Sequence, residues 1–126
     1  MPKHLFFGVA FYVFLAVITV MSLIEVEFNV PDLKISFIDK VIHTGAYAVL
    51  MLTGGLYYLN GKDKKTQNNR MLILAFLLIG FGILIEVLQK VLPVNRWWEL
   101  WDVVANIAGI LLGMLVLKGI TGRELR

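Results

Sequence analysis

Hydrophobic residues fall into four long runs that are separated by short polar segments. The runs are continuous rather than alternating between polar and apolar residues, which favours helices over strands. A helix of about 20 residues crosses the ~30 Å core of a bilayer, and its backbone satisfies its own hydrogen bonds there. The pattern therefore predicts an all-α, polytopic membrane protein with four transmembrane helices, at approximately residues 5–24, 41–59, 71–92 and 101–117.

The composition supports the same class of protein. The chain has 126 residues, of which 59% are hydrophobic and 17% are charged. Soluble domains have about 45–50% apolar and about 25% charged residues, and a chain this short has little interior in which to bury an excess. The composition therefore argues against a soluble enzyme and a disordered chain. We predict a single membrane domain over residues 1–126.

Charge and cysteine content narrow the possible partners. The chain has no cysteine, which excludes a disulfide scaffold, a zinc–thiolate site and a cysteine nucleophile. Of its 12 Lys and Arg residues, eight lie on the side of the four-helix topology that holds both termini and the loop 60–70. The positive-inside rule therefore places both termini in the cytoplasm. It also accounts for the net charge of +3, so we expect no nucleic-acid partner.

Three of the predicted helices carry a stripe of polar or small residues. A charge at the centre of a membrane helix costs about 2.5–3.5 kcal/mol and therefore needs a partner or a function. Residues spaced by three or four share a helix face. In this topology the ionisable groups fall in the outer half of the membrane. The stripes comprise Asp39, Lys40, His43 and Tyr47 on the second helix, Glu86 and Gln89 on the third, and Asp102, Asn106, Gly109 and Gly113 on the fourth.

These stripes have two interpretations. Polar side chains and small residues hold membrane helices together, and Gly109 and Gly113 form a small-xxx-small pattern typical of close packing. Ionisable residues inside a membrane more often mark a functional site. We interpret the two glycines as packing residues and the ionisable and amide groups as a site in the outer leaflet.

Two further features fall on the predicted outer face. Trp97, Trp98 and Trp101 precede or begin the fourth helix, where an aromatic belt is expected. The segment 25–38 contains apolar residues that alternate with polar ones near its end. It either lies flat on the membrane interface or forms an ordinary extracytoplasmic loop.

The polar positions resemble the VanZ-like family of small bacterial membrane proteins. The matching motifs are Asp39-Lys40-x-x-His43 with Tyr47, Glu86-x-x-Gln89, and the spaced series Pro93, Arg96, Asp102, Asn106, Gly109 and Gly113. Two positions depart from the family pattern, since Glu99 stands where Asp is frequent and Gly82 where Ser is common. The resemblance implies a protein of the cell envelope in the bacterial cytoplasmic membrane, and the family's name is linked to resistance to the glycopeptide teicoplanin.

One hypothesis is an enzyme that acts on a lipid-linked or envelope substrate. His43 would be the general base or nucleophile, oriented by Asp39 or Asp102, and Glu86 would be the general acid. A second set of side chains would bind the substrate, with cations holding an anionic headgroup and amides orienting it. That binding set comprises Lys40, Arg96, Gln89, Asn106 and Tyr47.

Other functions use the same residues. A non-catalytic protein would bind a lipid headgroup, a glycopeptide or a partner membrane protein, with the polar residues holding the helices together. A proton-coupled transporter is less favoured, because acidic residues confined to one half of the bilayer form no path across it. Metal binding by His43 with Asp39, Glu86 or Asp102 is conceivable, but no HExxH-type spacing is present. We therefore predict no metal ligand set and leave any cofactor open, and we expect membrane lipids as partners.

Overall fold

The computed structural model describes residues 1–23, 32–91 and 100–124, with side chains described outside 32–36 and 122–124. Within these ranges the chain forms four helices and no strand. They are α1 (Lys3–Leu23), α2 (Asp32–Tyr58), α3 (Lys64–Val91) and α4 (Leu100–Glu124). The all-α prediction is therefore confirmed.

The helices extend beyond the hydrophobic runs that predicted them. α2 begins at Asp32 rather than near residue 41, α3 begins at Lys64 rather than near residue 71, and α4 continues to Glu124 rather than ending near residue 117. A hydrophobic run marks only the part of a helix suited to lipid, whereas polar residues continue the same backbone pattern into the headgroups and water. The part of segment 25–38 that the structure describes is helical from residue 32, so it is neither extended nor an open loop there.

Three helices are long and apolar enough to cross a membrane. They are α1, α3 and the Leu100–Thr121 part of α4. α2 is not among them, because its apolar part also contains His43 and several threonines, glycines and tyrosines, which lower its mean hydropathy. Large apolar side chains also face outward from the helices, as lipid-facing residues do, including Phe76, which is 72% exposed. Together these features support a membrane protein with transmembrane helices.

The core lies mainly between α2 and α4, the pair of helices with the most extensive contact. Leu50 and Met51 of α2 and Ile110 and Leu117 of α4 are completely buried. The core continues toward α3 through Leu78. This arrangement places the beginning of α4 beside the first half of α2.

Two glycines of α4 set the distance between α2 and α4. A Cβ atom added at Gly109 would lie 2.2 Å from the Thr44 carbonyl oxygen, and one added at Gly113 would lie 2.8 Å from the Ala48 carbonyl oxygen. Backbone atoms do not yield easily, so only glycine permits this approach. Gly109 and Gly113 therefore serve helix packing, as the small-xxx-small pattern predicts.

A tight turn joins α2 to α3. Gly61 adopts a φ of 71°, in the left-handed region that glycine enters without strain. Asp63 then caps α3: its carbonyl oxygen accepts a hydrogen bond from Gln67 N at 2.9 Å, and hydrogen bonds from Thr66 lower the pKa of the exposed Asp63 carboxyl. The turn returns α3 along α2 and brings the end of α3 to the beginning of α2.

Candidate functional site

Five polar side chains meet where the first half of α2 packs against the beginning of α4. We call this group the polar cluster. Each helix contributes residues one turn apart, so its polar side chains share the face toward the other helix. Thr44 reinforces the register, because its hydroxyl donates a hydrogen bond to the Ala105 carbonyl at 3.3 Å. The polar cluster comprises Asp39, Lys40 and His43 of α2 with Asp102 and Asn106 of α4.

An ion pair lies at the centre of the polar cluster. Lys40 Nζ lies 2.6 Å from Asp102 Oδ1 and 3.7 Å from Asp39 Oδ2. The Asp102 side chain is only 6% exposed, whereas that of Asp39 is 35% exposed. The Lys40 ammonium group therefore lies between a buried carboxylate and a partly exposed one.

The His43 ring is held at both of its nitrogen atoms. Its Nδ1 donates a hydrogen bond to Asn106 Oδ1 at 2.9 Å, and its Nε2 lies 3.5 Å from Asp39 Oδ1. Asn106 is 2% exposed, so the acceptor for Nδ1 is fixed inside the protein. The imidazole thus presents Nε2 to the carboxylate side of the polar cluster, which suits proton transfer or ligand binding at that atom.

Glu86 of α3 lies beside the polar cluster and is 1% exposed. Neither of its carboxylate oxygens has a hydrogen-bond partner among the residues that the structure describes. The charges that act on it are those of Asp102, His43, Asp39 and Lys40. It is therefore a buried acid that faces the polar cluster without being bonded to it.

α3 packs closely against both α2 and α4 near Glu86. One turn before Glu86, a Cβ atom added at Gly82 would lie 3.0 Å from Asn106 Nδ2 and 3.3 Å from the Tyr47 hydroxyl oxygen. The face of α3 that carries Gly82 and Glu86 therefore abuts both α2 and α4. The absence of a side chain at Gly82 leaves room there for the amide of Asn106.

The remaining predicted site residues do not belong to the polar cluster. Gln89 is buried and its Nε2 donates a hydrogen bond to the Ser22 carbonyl at 2.7 Å, which ties α3 to the end of α1. Tyr47 is 2% exposed and belongs to the core between the helices. Arg96 lies outside the described residues, as do Trp97 and Trp98. Trp101 is described and is 68% exposed on α4.

Three donor atoms of the polar cluster are close enough to share a cation. One ligand atom each from Asp39, His43 and Asp102 lies within 4.8 Å of the other two. The sequence lacks a local metal motif because these residues come from two helices that are distant in sequence. Only the packing of α2 against α4 brings them together.

Two features of the structure are not evident from the sequence pattern. The first is the hydrogen bond from the Thr44 hydroxyl to the Ala105 carbonyl, which joins α2 to α4. The only sequence signal for it is that Thr44 directly follows His43. The second feature is a cavity of about 520 Å³ away from the polar cluster, whose lining includes Phe11, Tyr58 and Arg70. Its walls are mostly apolar and none of the polar cluster residues lines it.

No protein-family model, curated protein or solved structure matches this chain. The function is therefore inferred from the contacts of the polar cluster and from the burial of Glu86.

Proposed function

We propose that this chain is a VanZ-like integral membrane protein that binds or processes a lipid-linked or envelope substrate at the outer leaflet. The observation that carries the proposal is the convergence of buried ionisable groups from three helices at one level. Packing alone gives no reason for Glu86, because a side chain that holds helices together makes hydrogen bonds. A buried carboxylate that makes none with the described residues needs another explanation.

The proposed topology has four transmembrane helices, with α2 as the fourth. α2 has 27 residues, more than the ~17–25 that a span requires. Its polar residues face α4, so they are shielded from lipid by the protein. In this proposal the protein spans the bacterial inner membrane. The distribution of Lys and Arg favours an orientation with both termini on the cytoplasmic side and the polar cluster on the outer side.

The polar cluster has the parts that a substrate site needs. An anionic headgroup would compete with Asp102 for the Lys40 ammonium group, and Arg96 is proposed as a second cation for it. His43 is oriented by Asn106 and Asp39 and would act as the base or nucleophile. Glu86, buried and free of hydrogen bonds to the described residues, would act as the acid.

A non-catalytic function is the second candidate. The bonds from Lys40 to Asp102, from His43 to Asn106 and from Thr44 to Ala105 all join α2 to α4. Contacts of this kind stabilise membrane helix pairs by about 0.6 kcal/mol each on average. In this case the protein would bind a glycopeptide, a lipid or a partner protein without chemical change.

Binding is tested by native mass spectrometry of the purified protein with a long-chain isoprenyl phosphate as the probe. We expect the wild type to retain the lipid and Lys40→Met to bind it at least ten-fold more weakly. Lys118→Met is the matched control, because Lys118 is an exposed lysine at the other end of α4. Equal binding by Lys40→Met and the wild type would contradict a headgroup site at the polar cluster.

The proposed link to resistance is tested in cells. Expression of the wild type in a susceptible bacterium is expected to raise the inhibitory concentration of teicoplanin, and His43→Gln is expected to abolish the increase at equal membrane abundance. His4→Gln, which changes the other histidine of the chain, should retain it. Equal protection by the wild type and His43→Gln would exclude the polar cluster from this activity.

The topology is tested by cysteine labelling, since the natural chain has no cysteine. Phe37→Cys should react with a membrane-impermeant maleimide in intact cells, whereas Asn60→Cys and Lys3→Cys should react only after lysis. All three positions are exposed in the structure. Labelling of Asn60→Cys in intact cells would contradict the proposed orientation.

A further inference from the structure

The polar cluster and Glu86 together carry an excess of negative charge. Three carboxylates, those of Asp39, Asp102 and Glu86, face one ammonium group, that of Lys40. When Glu86 is ionised, even a protonated His43 leaves one negative charge uncompensated among the described residues. Buried charges are paired or coordinate metal ions, because an isolated charge is costly to remove from water. The local charge therefore favours a cationic ligand.

The donor atoms are arranged around a common centre. Asp39, His43 and Asp102 each offer one ligand atom within 4.8 Å of the others. Ligand atoms of a tetrahedral Zn²⁺ ion at ~2.0–2.2 Å lie about 3.3–3.6 Å apart. His43 Nε2 and Asp39 Oδ1 already have this spacing at 3.5 Å, and a bound ion would draw the set of three donor atoms inward from its 4.8 Å limit.

The hydrogen bond of His43 provides a separate observation. A histidine that binds a metal ion usually donates its other ring N–H to a carbonyl or carboxylate, which fixes the tautomer. Here Nδ1 donates to Asn106 Oδ1 at 2.9 Å, so the lone pair of a neutral imidazole is on Nε2. Nε2 is the nitrogen that lies 3.5 Å from Asp39 Oδ1.

We propose that Asp39, His43 and Asp102, with Glu86 approaching from α3, form a binding site for a divalent metal ion. One imidazole nitrogen with several carboxylate oxygens suits Zn²⁺ or Mn²⁺. The ion supplies the bonding partner that the Glu86 carboxylate lacks among the described residues. This site goes beyond the proposed substrate binding, because it concerns an ion that the polar cluster holds in the absence of substrate.

The Lys40 ammonium group competes with the ion for the carboxylates of Asp39 and Asp102. Its ammonium group already contacts Asp102 Oδ1 at 2.6 Å and Asp39 Oδ2 at 3.7 Å. Removal of this charge by Lys40→Met would free both carboxylates for the metal. The proposal therefore makes the unusual prediction that a substitution inside the site tightens binding.

The test uses the untagged full chain in nanodiscs of zwitterionic lipid, stripped with a chelator and titrated with Zn²⁺ or Mn²⁺ alone. Calorimetry and elemental analysis should give one ion per chain. His43→Gln and Asp39→Asn should each weaken binding at least ten-fold, and Lys40→Met should strengthen it. His4→Gln and Asp63→Asn are the matched controls and should bind like the wild type.

Thermal unfolding with and without the ion distinguishes a variant that has lost the metal site from one that folds poorly. The wild type and Lys40→Met should melt at a higher temperature in the presence of the ion, whereas His43→Gln should not respond. A wild type that binds no ion, or His43→Gln that binds as tightly as His4→Gln, would overturn the proposal. These measurements contain no envelope substrate, so their failure would leave substrate binding to be judged by its own experiment.

Discussion

Lys40 Nζ lies 2.6 Å from Asp102 Oδ1, which joins the beginning of α2 to the first turn of α4 by a mostly buried ion pair. Asp102 is also near the N-terminal end of its helix, where the helix dipole favours a negative charge. This pair fixes the level at which the polar cluster forms, because His43 and Asn106 follow one turn later on the same two helices.

Removal of Lys40 alone should destabilise the protein more than removal of both partners. Lys40→Met leaves the buried Asp102 charge without its closest partner, and we expect a loss of about 3 kcal/mol. This is the low end of the range for buried pairs, because the Lys40 side chain is 22% exposed. The double variant Lys40→Met/Asp102→Leu should therefore be more stable than Lys40→Met alone. The free energies of unfolding are measured in chelator-containing buffer, and a double variant that is no more stable than Lys40→Met would contradict the prediction.

Addition of one methyl group at Gly109 should disrupt the contact between α2 and α4. The new Cβ would lie 2.2 Å from the Thr44 carbonyl oxygen, so Gly109→Ala should reduce the free energy of unfolding by about 1–3 kcal/mol. Gly119→Ala is the control on the same helix, because nothing lies within 4 Å of its Cβ position. It should leave stability unchanged or raise it by up to about 1 kcal/mol. Equal effects of the two substitutions would contradict this packing.

Loss of the Gln89 amide should loosen the end of α1. Gln89→Leu leaves the half-buried Ser22 carbonyl without its donor, at a cost of about 1 kcal/mol, the low end of the range for a lost hydrogen bond. Amide hydrogen exchange should increase in the last turn of α1. Gln67→Leu is the matched control, because Gln67 makes the corresponding bond to the Leu59 carbonyl at the opposite end. Unchanged exchange in α1 of Gln89→Leu would refute the role of this bond.

The sequence predicted the helical class and the shared faces of the polar residues, because both follow from local periodicity. The stripe from Asp39 to His43 faces the stripe from Asp102 to Asn106, as the spacing of four predicts. Helix ends were predicted less well, since a hydrophobic run indicates lipid and not the end of a helix. α2 therefore begins at Asp32, well before its apolar run.

The choice of partner for each polar side chain could not be predicted from the sequence. Lys40 pairs with Asp102, and Gln89 bonds to Ser22, because the distances between helices allow it. Those distances depend on close approaches such as that of Gly109 to Thr44, which no single helix reveals. The same reason explains why the donor set of Asp39, His43 and Asp102 has no sequence motif.

The central claim is that the buried ionisable groups serve a function rather than hold the helices together, and Glu86→Gln tests it most directly. Glu86 has no hydrogen bond to any described residue, so the nearly isosteric Glu86→Gln replaces its carboxyl group by a neutral amide that can neither ionise nor transfer a proton. The free energy of unfolding and the teicoplanin inhibitory concentration of cells that express the variant are measured together. We predict stability equal to or higher than that of the wild type, together with loss of protection. Retained protection, or a loss of stability as large as that of Gly109→Ala, would contradict the claim.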